Sequence, residues 1–130
     1  MNPELLNMLV KRVQNSPTER ITSTDLTKWT ARDVDIDLLH EISLAVARSY
    51  QFQSISYQTA DDVMNDLWRL FQERFLANAT ELPSPFWDVF EAFDAGEYHR
   101  RPDKSDNPVA DHTDPMIAEL LTRYPIRPKL

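Results

Sequence analysis

The chain contains no cysteine and only one glycine in 130 residues. The first absence excludes disulfides and thiolate metal sites and is compatible with a reducing compartment, so a cytoplasmic location is expected. The second argues against tight β-hairpin turns and against a glycine-rich loop that would cradle a phosphate. Long apolar runs are missing too. Although 42% of the residues are hydrophobic, no stretch approaches the ~20 apolar residues of a membrane span. The start "MNPELLNMLVKRVQ" lacks a basic region, an apolar run and a small-residue cleavage site, so the mature chain is expected to begin at Met1, away from membranes.

Basic residues are also scarce: 14 Lys and Arg stand against 21 acids, for a net charge of −7. Two stretches carry none at all, Arg48 to Arg69 and Arg74 to Arg100. The bases that remain are scattered in ones and twos, and phosphate backbones repel such a chain. No direct nucleic-acid binding is therefore expected, and a basic protein is the natural electrostatic partner.

What is present is helical periodicity with clear punctuation. Pro3 follows Asn2 as a first helical position after a cap, and Leu5, Leu6, Leu9 and Val13 recur at helical spacing until Ser16-Pro17. A second helix is predicted from about Asp35 to Tyr50, with Ile36, Leu39, Ser43, Val46 and Tyr50 on one face. Asp33, Asp35 and Asp37 suit the positive end of its dipole. Thr59 is expected to cap a third, about Ala60 to Asn78, with the face Val63, Met64, Leu67, Leu70, Phe71 and Phe75. Ser84-Pro85 opens a fourth that turns Phe86, Trp87, Phe90 and Phe93 inward and stops at Gly96, read as a left-handed C′ residue. A polar loop from Tyr98 to Thr113 leads to a fifth helix, begun by Asp114-Pro115, continuing through Met116, Ile117, Leu120, Leu121 and Tyr124, and closed by Pro125, with Pro128 keeping the tail extended. Only "RITST" (Arg20 to Thr24) and "QFQSISYQ" (Gln51 to Gln58) alternate like short strands. The expectation is one all-α domain over residues 1–130, a compact bundle of about five helices without internal repeats.

The search for catalytic chemistry finds no motif. The serines lack an elbow-like glycine context, and His40 on the second helix reads as a structural residue at the core edge. His99 and His112 share the polar loop with Glu97, Asp103, Asp106, Asp111 and Asp114, but at no ligand-pair spacing, so neither a metal nor a cofactor is expected. Carboxylate pairs such as Asp61 with Asp62 or Glu91 with Asp94 are read as solvated, with ordinary acidities. No enzyme is expected.

The charge map is more informative. Asp88, Glu91 and Asp94 form a stripe on the fourth helix that Glu97 extends, close to the negative end of the dipole, where like charges cost a few tenths of a kcal/mol each. Asp61, Asp62 and Asp66 form a second acidic surface. Tyr98 and Trp29 are candidate aromatic anchors for a partner.

The stretch "FWDVFEAFDAGEYHRRPDKSDNPVADHTDPMIAELL" resembles the C-terminal half of small bacterial immunity proteins, which protect cells against toxins of contact-dependent growth inhibition and related polymorphic-toxin systems. The likeness lies in Phe93, Asp94, Gly96, Glu97 and Tyr98 and in "NPVADHTDPMI" (Asn107 to Ile117), about a quarter of the chain. Residues 1–80 contribute only helical character and acidity. Immunity proteins have many unrelated folds, so the resemblance implies a way of working: a small acidic protein covers the cationic active-site surface of a cognate toxin, here a basic nuclease. The alternatives are a generic helical interaction or regulatory module and, more weakly, a small enzyme with a loop site near His99 and His112.

Overall fold

The computed structural model describes residues 3–16 and 18–125. Its order is α1 (Pro3–Asn15), α2 (Ser23–Thr30), α3 (Ile36–Gln51), α4 (Tyr57–Arg74), a 3₁₀ turn (Leu76–Asn78), α5 (Phe86–Asp94), a π-helical turn (Val109–Thr113) and α6 (Asp114–Arg123). The architecture is all-helical, with six α-helices and no strand among the described residues. No described helix is long and apolar enough to cross a membrane. Asn2, Pro17 and Pro128, which figure in the predicted boundaries, lie outside the described residues.

Helix α4 occupies the middle, packed against α1, α3 and α5, while α6 closes the other side of α3 and α5. The apolar stripes read from the sequence meet there. Leu9, Leu39, Val63, Leu67, Phe71, Phe86 and Phe93 are all fully buried, and burying each Phe or Leu side chain stabilises by about 1.5–3 kcal/mol. Trp68 lies over the seam between α4 and α5, its ring centroid 5.1 Å from that of Trp87 and 5.1 Å from that of Phe90.

Four local expectations are corrected. "RITST" is not a strand: Thr22 caps α2 by accepting the Asp25 N–H at 3.1 Å, and Thr22 N–H donates back to the Asp25 carboxylate at 3.0 Å. This reciprocal pair satisfies two otherwise orphan donors, which outweighs a short alternation of apolar residues. "QFQSISYQ" is a connection from Phe52 to Ser56 in which Gln53 has φ 62°, followed directly by α4. The cap of α4 is Ser56, not Thr59; Ser56 Oγ accepts the Thr59 N–H at 3.1 Å, while Thr59 is itself buried and accepts from Gln14. The regular part of α4 ends at Arg74, four residues before the predicted limit, and gives way to the 3₁₀ turn.

A further correction concerns Gly96. No glycine has positive φ, and the residue closing α5 is Ala95 in right-handed geometry. Gly96 is needed for space. A Cβ placed on it would collide with Thr113 Oγ1 and lie 2.9 Å from the Tyr57 hydroxyl. The end of α5 thus presses its backbone directly onto α4 and the π-helical turn. Pro85 rather than Ser84 occupies the N-cap position of α5, after a cis Ser84–Pro85 peptide bond, and its side chain supplies no capping hydrogen bond.

Candidate functional site

The two base-free acidic stretches meet across the seam between α4 and α5. Asp61, in the second turn of α4, is only 6% exposed, which corrects the reading of a solvated carboxylate. Asn65, one turn later, donates from the same amide nitrogen to Asp61 Oδ2 at 3.4 Å and to Glu97 Oε2 at 3.3 Å. The Glu97 carboxyl also hydrogen-bonds the Asp61 carboxyl. Burial, then contact with Glu97, then the charges of Asp62 and Asp94 push the Asp61 carboxyl up to about 8. Asp94 is raised as well, by burial first and by Glu97 second.

A cation at this point would lower both groups again. Among the described residues, Asp61, Asp62, Glu91, Asp94 and Glu97 form no ion pair with a Lys, Arg or His. No basic residue lies in the last turn of α5, so its negative dipole end points toward the same acids.

The other predicted acids behave differently. Asp66, also buried, accepts the Ile21 N–H at 3.0 Å and faces Arg20 at 3.4 Å, so it ties the connection before α2 to α4 instead of presenting charge outward. The same reading of a solvated face is corrected there. Asp62 is half-buried and accepts from Gln58 at 2.8 Å. Asp88 leans toward α6, with Arg123 at 3.8 Å, whereas Asp94 and Glu97 lie on the α4 side. The stripe on α5 is therefore divided, since residues six positions apart on a helix are about 120° apart around its axis.

Tyr98 is 54% exposed, and the Arg100 guanidinium sits 4.1 Å from its ring centroid. Trp29 is half-buried beneath Arg12, 5.2 Å away, and belongs more to the join between α1 and α2 than to an open surface.

The polar loop after Tyr98 is organised by Asp106. Its carboxylate accepts the Arg100 N–H at 2.8 Å and contacts His99 Nδ1 at 3.1 Å, and these bonds, the Arg100 N–H first, hold it down at about 2. His112 is half-buried in a recess that Asp106 lines too, together with Arg100, Arg101, Ser105, Asn107 and Asp111. Among the described residues no three His, Asp or Glu side chains are placed to hold a metal ion.

Beyond Tyr57, a cleft of about 620 Å³ opens between the α3–α4 connection and the start of α6, lined by Tyr50, Gln53, Ser54, Tyr57, Asp114 and Ile117 among others. Tyr50 donates to Asp114 at 2.6 Å there, and burial together with that bond keeps its hydroxyl protonated. His40, read from the sequence as a structural residue at the core edge, accepts the first N–H of α5 (Phe86) on Nδ1 at 3.1 Å. Asp37 and the edge position of His40 gave no hint of that bond, because its donor lies 46 residues away.

No protein-family model, no curated protein and no solved structure matches the chain.

Proposed function

We propose that the chain is an immunity-type inhibitor that binds a cationic protein toxin, a basic nuclease, and covers its active-site surface. The observation that supports this reading is the convergence of Asp61, Asp62, Asp94 and Glu97, drawn from two separate base-free stretches, at one seam where none of them forms an ion pair with a described Lys, Arg or His. Carboxylates crowded in this way cost stability, and a partner's Lys and Arg side chains would relieve the repulsion. Tyr98, exposed beside Glu97, offers an aromatic contact at the rim of the same surface. In this reading Asp66 serves the fold, and Asp88 contributes through the wider field.

Association kinetics against a basic nuclease toxin domain test the proposal. Replacing Asp88 and Asp94 with Asn, and Glu91 and Glu97 with Gln, should slow association at low salt by roughly tenfold or more and flatten its dependence on ionic strength. Tyr98→Ala should act mainly on dissociation. A four-amide variant that associates at the wild-type rate with the wild-type salt slope would overturn the reading.

A further inference from the structure

Beyond the buried Phe93, the end of α5 is tied to its neighbours by specific hydrogen bonds. Phe93 O accepts both the Gly96 N–H at 3.0 Å and the Tyr57 hydroxyl at 2.6 Å, and Thr113 Oγ1 donates to Ala92 O at 2.7 Å. On the outer side the link is Glu97, whose carboxyl meets Asp61 and the Asn65 amide. Two carboxyl groups in hydrogen-bond contact need a proton between them, because two carboxylates are both acceptors and repel. Among the described residues, no cation pairs with either group in its place. From α4 itself the pair is faced by Asp62 and Tyr57, and from α5 by Asp94. From the α1–α2 connection, Glu19 and Arg20 line a recess with Asp62, Asn65 and Asp66, where Arg20 is paired with Asp66. From α1 the neutral Gln14 bonds Thr59 of α4, and from α3 Tyr50 bonds Asp114 at the start of α6.

We propose that Asp61 and Glu97 share a single proton that latches the turn at 95–98 onto α4, and that losing this proton releases the turn together with Tyr98 and the start of the following loop. Once both groups are ionised, Glu97 faces Asp61, Asp62 and Asp94 at the negative end of α5 with only the Asn65 amide to oppose them. Its side chain then turns to solvent. Tyr98 stays close to the seam only while the latch is closed, so the proton sets how firmly this exposed ring is presented. The device belongs to the free chain and stands whether or not a toxin is the partner.

The experiment is an NMR titration of the full chain from pH 3 to pH 10, reading side-chain carboxyl carbons, the Asn65 side-chain amide and the backbone amides of residues 95–98. The shared proton should leave in an upper step near about 8, read at the Asp61 carboxyl carbon. The Asn65 and 95–98 amides should move with that upper midpoint. Exchange of the Gly96 and Glu97 amides, corrected for base catalysis, should rise by roughly tenfold across it. Asp61→Asn should abolish the upper step, and Glu97→Gln should move it to lower pH and uncouple residues 95–98 from it, because an amide supplies the donor at every pH while Asp61 stays buried. If Asp61→Asn does not fold, Glu97→Gln carries the test, since that side chain is exposed. Titration of both carboxyls below pH 5 would overturn the proposal, and so would an upper step to which residues 95–98 do not respond.

Discussion

Asp61 illustrates at the residue scale how a carboxylate can weaken the chain that carries it. In the unfolded chain it ionises near 3.9, while in the fold it holds its proton up to about 8. A raised folded value means that its stabilising contribution is fully present below about pH 4 and is lost as pH rises toward 8. Asp61→Asn should therefore stabilise the protein by at least ~1 kcal/mol at pH 8 and by almost nothing at pH 3.5. Urea unfolding at the two pH values checks this; a loss of stability at pH 8 would show that the ionised group is tolerated. Gly96 allows a second test at the same scale. Its backbone angles are ordinary and the constraint is the approach of Thr113 and Tyr57. Gly96→Ala should cost about 1–3 kcal/mol, and Gly96→Asn should be no milder than Gly96→Val, whereas a left-handed glycine would favour Asn.

At the scale of elements, the helices depend on caps drawn from near and far. The α2 cap is local: Thr22→Ala removes one half of a reciprocal pair and should cost ~1 kcal/mol, seen as lower thermal stability with the other helices intact. The start of α5 is capped from a distance by His40, whose ring must remain neutral at Nδ1 to accept the Phe86 N–H. Burial pushes the pKa of the His40 imidazolium down from its ordinary value, with Asp37 partly opposing. The sign follows from that direction. Stability is complete above the unfolded value of ~6.5 and is lost as pH falls below it. His40→Ala should cost ~1 kcal/mol at pH 7.5 and should flatten the wild-type decline between pH 6.5 and 5, measured by thermal unfolding.

For the whole molecule, the net charge of −7 is spread unevenly. Ion pairs such as Arg12 with Asp25 at 2.7 Å join α1 to α2, while the α4–α5 seam gathers Asp61, Asp62, Asp94 and Glu97 with no basic partner among the described residues. Repulsion across that seam is screened by salt. Raising NaCl from 10 mM to 1 M should therefore stabilise the wild-type chain, and the gain should shrink in the variant carrying amides at positions 88, 91, 94 and 97. Equal salt responses in the two proteins would place the repulsion elsewhere.

Five of the six helices were legible in the sequence because each carries a stripe of apolar side chains at helical spacing, long enough to be distinguished from a strand. Helix α2 was not, since its eight residues bury little and "RITST" alternates. The signal that would have found it is Thr22 followed three residues later by Asp25. The two acidic stretches were also legible, as runs without Lys or Arg, and so was the interruption at Gly96. That Asp61 and Asp66 are buried was not legible. A carboxylate on a helix looks solvated until another element covers it, and the covering groups, Glu97 for one and the Ile21 N–H for the other, lie 36 and 45 residues away. The sequence by itself determined the helices and the sign of the charge, because both follow from the order and type of neighbouring residues. Tertiary structure alone decided that two acidic runs form one seam, that a proton stands where a cation is missing, and that Gly96 is small for want of room, because burial and contact depend on residues far apart in the chain.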